Sequence, residues 1–445
     1  MKRRSVLRNS LALGLAAATG GSAAVLANPG PAAAIPAGTD HVILWNEALR
    51  YAFSRTDLAP GPLTRRAAIL NAAIYDTVVS LAGNSTPYLG RVPKEPHFNY
   101  DVVSNIDAAA RTVLPQIFPT VDFTAFYAEA AKYKPVGNPG PEGFSTSVGV
   151  TAAQRILAAR ANDGSDNNTP YVEGTEPGQW RQTGSGAPAT PNWGGVTPWT
   201  LTSNTQFRPP LPGGFSSLPA LLASPEYAAQ VNEVKSLGAV NSTTRTAEQT
   251  KIAFFWANDV AGTYKPPGQL LRHTSILAFD HNLESFQAAR LYTLVSLAMA
   301  DATIVSWDAK YRTPIDLWRP ESAIRLAGTD GNPATVADPA WQPLSVNRSG
   351  VRFSPPFPAY TSGHATLAGS WGGVMRRYFG TDNVTFRVDS VDPNEQEYRT
   401  YTSFSSAAQE NARSRVYLGV HYQWDADFGL SSGDAVAGQV FARLS

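Results

Sequence analysis

The amino-acid pattern predicts a mainly α fold, a helical bundle decorated by long loops. Three observations carry this reading. Apolar residues recur at helical spacing in most segments, strand-like alternation is scarce, and two long stretches rich in Gly, Pro and Asn separate the helical runs. The chain has 445 residues, 43% hydrophobic and 16% charged, which suffices for a large core.

The elements follow in order. Beyond Thr39, Val42, Leu44, Trp45, Leu49, Tyr51 and Ala52 share one helix face. Arg65 to Leu81 repeats the pattern with Ala68, Ile69, Ala72, Ile74, Tyr75 and Val78. Further helices are expected over 100–113, 120–131 and 145–162. Residues 163–214 lack helical period, but their tryptophans need burial, so they read as long packed loops rather than a linker. A second helical half opens near Ser224, with helices over 246–261 and 282–312. After loops over 326–358 come a helix over 361–379, a short strand or hairpin around 384–391 and a helix over 405–418. We read 35–445 as one domain with two helical halves, about 39–223 and 224–445.

The ends and the bulk charge narrow the setting. Lys2-Arg3-Arg4-Ser5-Val6-Leu7 precedes a weakly apolar, Ala-rich stretch, which reads as a twin-arginine export signal over 1–34. An ordinary secretion signal and an uncleaved anchor are the alternatives. A soluble, secreted protein is expected, with no later segment apolar for long enough to span a bilayer. A net charge of +1 gives no steering toward nucleic acid or an anionic membrane. The absence of cysteine excludes thiol nucleophiles, zinc thiolate sites, iron–sulfur clusters and disulfides.

Three segments carry chemistry. Lys310 closes a long helix and Arg319-Pro320 follows in the next turn, where proline stops the helix and aims a guanidinium into a cleft. A basic surface turn with a local Asp308–Arg312 pair reads equally from these residues alone. Thr361-Ser362-Gly363-His364 opens a helix, and its free amides form an anion site with His364 beside it; a plain helix cap is the alternative. Arg415, Gly419, His421 and Asp425 fall across a helix end. There Asp425 can hold one ring nitrogen of His421 and leave the other free; the alternative is a helix C-terminus with both side chains on the surface.

Together these segments resemble the signature of the superfamily of vanadium-dependent haloperoxidases and type 2 phosphatidic acid phosphatases: Lys…Arg-Pro, Pro-Ser-Gly-His, and Ser-Arg-x-x-x-Gly-x-His-x-x-x-Asp. The third block, Ser414 to Asp425, matches at every specified position. Thr361 stands where the family usually has proline. The Lys310–Arg319 spacing is slightly long, which makes Arg312 a rival for the lysine role. Trp307, one helical turn before Lys310, resembles the chloroperoxidase tryptophan and favours Lys310. The early helix at Arg65 to Leu81 and the stretch from Trp318 to Arg325 also resemble secreted bacterial members.

The resemblance implies a helical bundle of the vanadium haloperoxidase type and a vanadate cofactor in a site also competent for phosphate. Lys310, Arg319 and Arg415 would bind its oxygens, with Ser362 and the Gly363 amide bonded to them. His421 would be the metal ligand, His364 the acid–base partner and Asp425 the residue that orients His421. Trp307 and Phe357 would line the halide pocket, Phe357 pointing to chloride. The implied partners are hydrogen peroxide, chloride or bromide, and a small organic acceptor, with no nucleic acid and no lasting membrane insertion. Two further readings are a secreted acid phosphatase using a phospho-histidine, and a non-catalytic oxyanion-binding relative. Three bare segments do not separate them.

Overall fold

A computed structural model describes residues 39–444 apart from 84, 136, 138–142, 185 and 391–396. The expected export signal lies outside the described residues. Among these, the fold is mainly helical. The first half carries α1 (His41–Ser54), α2 (Pro60–Ala82), β1 (Asn99–Tyr100), α3 (Val102–Ile117), α4 (Thr124–Ala130), β2 (Phe144–Ser145) and α5 (Ser147–Ala159). Then come α6 (Leu218–Leu222), α7 (Pro225–Leu237), α8 (Ala247–Phe255), α9 (Lys265–Asp280), α10 (Ser285–Tyr311) and α11 (Pro320–Arg325). The chain continues with α12 (Gly363–Phe379), β3 (Phe386–Asp389), β4 (Tyr398–Tyr401), α13 (Phe404–Tyr417) and α14 (Gln423–Arg443). β1 and β2 pair in parallel, and β3 and β4 form an antiparallel ribbon from Phe386↔Tyr401 to Asp389↔Tyr398.

Local chemistry sets the helix ends. The Asp40 carboxylate accepts the Val42 amide at 2.8 Å and starts α1. Pro60 opens α2, and Gly83 closes it at φ 80°, a conformation that glycine adopts without strain. α10 is buried on nearly all sides because it is the central helix, packed against α2 and α12. α12 and α14 approach at backbone contact. A Cβ on Gly433 would collide with the Thr366 carbonyl, and one on Gly369 with that of Leu430. One apolar cluster runs from Val42 to Leu444 and joins both halves.

The structure corrects several expectations. α8 ends at Phe255, six residues before the expected Ala261, and the chain then forms a loop up to Tyr264. α9 was not anticipated, because Pro266-Pro267-Gly268 reads as a breaker. The two prolines lie in its first turn, where their missing N–H groups have no helical partner to lose. α14 was missed because its Gly, Ser and Ala positions carry little apolar signal while packing closely. The expectation that no later segment could span a bilayer also fails. α10 is long and apolar enough by length and composition, and 94% of its most apolar window is buried inside the fold. The loops over 163–214 hold as expected, with Trp180, Trp193 and Trp199 all buried.

Candidate active site

The last turn of α10 places Trp307 and Lys310 on one face, three residues apart. Both are fully buried, whereas Arg312 caps the helix and is exposed, so Lys310 and not Arg312 reaches the cluster. The Lys310 ammonium donates to the carbonyls of Pro358 (2.7 Å), Ala359 (3.1 Å) and Thr361 (2.5 Å). It therefore fastens the strip that leads into α12. Thr361 is the residue that departs from the family pattern, and its carbonyl takes one of these bonds.

Arg319 precedes α11, with Pro320 in the first helical position. Its Nε donates to the Phe357 carbonyl at 2.7 Å and one terminal nitrogen to the Val420 carbonyl at 2.7 Å. That same nitrogen lies 3.0 Å from His421 Nε2, and the other terminal nitrogen has no partner. Ser362 caps α12, its hydroxyl accepting the Ala365 amide at 3.4 Å. Gly363 lies against the Trp307 ring, where a Cβ would sit at contact distance, 3.4 Å from it.

Arg415 lies in the last turn of α13. Gly419 then turns the chain at φ 82°, where any side chain would strike the Gly238 carbonyl. The amides of Val420 and His421 both return to the Arg415 carbonyl. This tight return presents His421 at the mouth of α14. Its Nδ1 lies 2.9 Å from Asp425 Oδ2, which also accepts the Tyr422 amide at 3.1 Å. The Asp425 carbonyl accepts the Ser362 amide at 3.0 Å, joining the starts of α12 and α14.

A narrow cleft of about 10 Å³ lies among these residues. Of the ten residues expected from sequence, Trp307, Phe357, Gly363, His364, Arg415 and His421 line it. Lys310, Arg319, Ser362 and Asp425 stand behind them. Asp259 was not anticipated, since a lone aspartate in a loop carries no sequence signal. Its carboxylate pairs with Arg415 at 2.8 Å, lies 3.8 Å from His364 Nε2 and is 23% exposed. Lys265 holds its loop, donating to the carbonyls of Asp259 (3.3 Å) and Val260 (3.0 Å). Pro60, Pro266, Pro355 and Leu367 complete the lining; they too were not anticipated.

Burial governs the electrostatics. It drives His364 down to about 3, with Arg415 adding to the effect, and pushes His421 well below the ordinary imidazole range, with Arg319 and Lys310 adding to it. Both rings are therefore neutral at neutral pH. Burial lowers Arg319 to about 9 and Lys310 well below an ordinary ammonium, and it raises Asp425. Burial also acts to raise Asp259, but His364, Arg415, Lys265 and Arg319 outweigh it and hold this carboxyl below its usual value.

Three buried nitrogens in this cluster have no partner: Arg319 Nη2, Arg415 Nε and His364 Nε2. An unpaired buried donor costs about 1–3 kcal/mol, more when charged. The two guanidinium nitrogens, beside the free amides at the start of α12 and the acceptor nitrogen of His364, form a receptor for a compact, protonated oxyanion. Vanadate fits this donor set. Arg319, Arg415 and the α12 amides can hold its oxygens, and His421 Nε2 can serve as the one imidazole ligand.

Comparison with known proteins supports this reading. Residues 290–445 match the VCPO second helical-bundle domain, the stretch that carries the whole cage. That C-terminal stretch is thus similar to the second helical-bundle domain of this family. A vanadium chloroperoxidase from Curvularia inaequalis is 31% identical over 236 residues, covering 42% of this chain and 38% of that protein. The chain thus matches well under half the length of this curated relative. A bacterial vanadium-dependent iodoperoxidase superposes with TM-score 0.75 at 24% identity, over 90% of this chain and 95% of the other. A bacterial vanadium-dependent chloroperoxidase in its holo form superposes with TM-score 0.65 at 18% identity, over 87% and 93%. At such identities the likeness carries the helical fold alone; the activity needs its own argument.

Proposed function

We propose that this protein is a vanadium-dependent haloperoxidase that turns halide, hydrogen peroxide and a proton into hypohalous acid and water, for transfer to a small organic acceptor. The observation that carries this is the pair of unpaired buried guanidinium nitrogens, on Arg319 and Arg415, beside a cleft lined by His364 and His421. Bound vanadate supplies Lewis-acid activation of peroxide. The protein's own residues do the rest. Asp425 holds the His421 Nδ1 proton and so leaves Nε2 the acceptor nitrogen, which lies 3.0 Å from Arg319 until a ligand takes its place. Neutral His364 takes up the peroxide proton at Nε2 and returns it to the leaving oxygen. Arg319 and Arg415 stabilise charge that develops on the oxyanion. The vanadium chloroperoxidase and iodoperoxidase relatives favour this chemistry, and the Arg3-Arg4 leader favours export by the twin-arginine route.

The test pairs two assays on the purified protein. Halogenation of a phenol dye by peroxide should require orthovanadate and disappear in His421→Ala. Hydrolysis of phosphate esters that vanadate inhibits, with no halogenation, would instead assign the cage to phosphoryl transfer through His421.

A further inference from the structure

At the opposite end of α10 from the cleft, an open groove of about 460 Å³ lies between the helix start and the end of α12. From Arg290 to Trp307 the helix rises about 25 Å, so the groove is remote from the cage. Its volume falls in the range of small-molecule sites. Phe286, Gln287 and Arg290 lie on one face of α10 and, with Leu283 before its start, form one wall. Tyr378 and Phe379 form the other, and His281, just past α9, packs on Phe379 with ring centres 4.5 Å apart. The Tyr378 hydroxyl donates to the Gln287 carbonyl at 3.0 Å and ties the two walls together.

The groove has an apolar body and a cation without a counter-charge. None of its lining residues is acidic. The Arg290 guanidinium bonds the neutral Tyr75 phenol and lies against two rings, Phe441 at 5.1 Å and Tyr378 at 5.8 Å. Those rings hold it in place, so a ligand has little of its freedom left to remove. Glu284, beside the groove in sequence, turns back to cap α10, its side chain accepting the Gln287 amide. The Gln287 side-chain oxygen accepts the Glu284 amide at 3.0 Å, which leaves its NH2 group as the free end. Arg290 and Gln287 therefore offer donors to an incoming acceptor.

We propose that this groove is a second binding site, for a small planar aromatic carboxylate. Its ring would lie on Leu283, Phe286 and Phe379, and its carboxylate on Arg290 and Gln287. The rings of His281, Phe286, Tyr378 and Phe379 favour a flat partner over a branched one. A guanidinium matches a carboxylate through two parallel hydrogen bonds. From Leu283 to Arg290 the wall is roughly 10 Å long, which suits a two-ring acid and is too short for a long alkyl chain. No residue of the cage lines the groove, so the proposal stands apart from the haloperoxidase reading.

Calorimetric titration of the purified protein with 2-naphthoate tests it, in excess orthovanadate so that the oxyanion competes for the cage. The acid should bind at least about tenfold more tightly than neutral 2-naphthamide. Arg290→Met should abolish that difference, and Phe286→Ser should weaken both ligands. Crystals soaked in bromonaphthoate should show an anomalous bromine peak beside Phe286 and Phe379. Equal binding of acid and amide, full naphthoate affinity in Arg290→Met, or a bromine peak in the cleft instead of the groove overturns the proposal. Tighter binding of dodecanoate than of naphthoate assigns the groove to an alkyl chain and overturns it as well. If Arg290→Met does not fold, the acid–amide difference and the bromine position in the parent protein still decide.

Discussion

Two buried polar clusters on the same central helix behave in opposite ways. In the middle of α10, Asp301 accepts the Trp199 amide (2.7 Å), the Thr200 amide (2.9 Å) and the Thr200 hydroxyl (2.7 Å). Nearby, Asn71 bonds Asn46 and Ser296 across three helices. These groups are satisfied, and they hold the long loop over 163–214 and the α1 and α2 helices against the bundle. At the end of α10, the cleft leaves Arg319 Nη2, Arg415 Nε and His364 Nε2 unpaired. Burial is the same in both places; completeness of pairing differs. A satisfied cluster is scaffold, and an unsatisfied one around a cleft awaits a ligand.

The sharpest way to break this comparison is to remove one group from each cluster. Arg319→Ala should lower halogenating activity by about 10²–10³-fold and, because it strands the Phe357 and Val420 carbonyls, cost about 1–3 kcal/mol of stability, less than the loss of Asp301. Asp301→Ala leaves three buried donors unpaired and should destabilise by about 3–5 kcal/mol, while each folded molecule keeps its activity. Denaturant unfolding beside specific activity reads both. If Arg319→Ala proves the more destabilising change and Asp301→Ala the inactivating one, the distinction collapses.

A smaller effect concerns His273, which is unpaired at both ring nitrogens but packed against Trp256 and Trp371 away from the lining of the cleft. Burial lowers it from 6.5 to about 3, so the unfolded chain binds its proton first. The stability from keeping it neutral is complete above pH 6.5 and is lost as pH falls toward 3. Between pH 7.5 and 4.5 this amounts to about 2–3 kcal/mol. Melting curves at the two pH values should show a smaller acid loss in His273→Phe than in the parent. An equal loss would mean that an unpaired group away from the cleft carries no such burden. The smallest effect is expected from Arg312→Ala. Exposed at the end of α10, it should change stability by under about 0.5 kcal/mol and leave halogenation intact, whereas its rival Lys310 lies within the cluster. Loss of activity in Arg312→Ala would return the lysine role to question.

Much of the cage was legible because its pieces are local. Ser362 capping α12 and the His421–Asp425 pair depend on offsets of three and four residues, which helix geometry fixes. The bundle was legible for the same reason wherever apolar residues mark a face, as in α1, α2 and α10. α9 and α14 were not. In α9 prolines occupy a helix start that resembles a break, and in α14 small residues pack by backbone contact that hydropathy does not register.

The sequence by itself determined the helical class, the cage residues and the reach of Asp425 to His421, since each follows from short-range spacing. Only the tertiary structure decided that Lys310 and not Arg312 joins the cage, that Asp259 pairs with Arg415, and that Ala189 takes the Trp307 N–H. Those contacts join residues 118 and 156 positions apart, or depend on which side of a helix end is buried. Packing sets such contacts, and no local pattern encodes them.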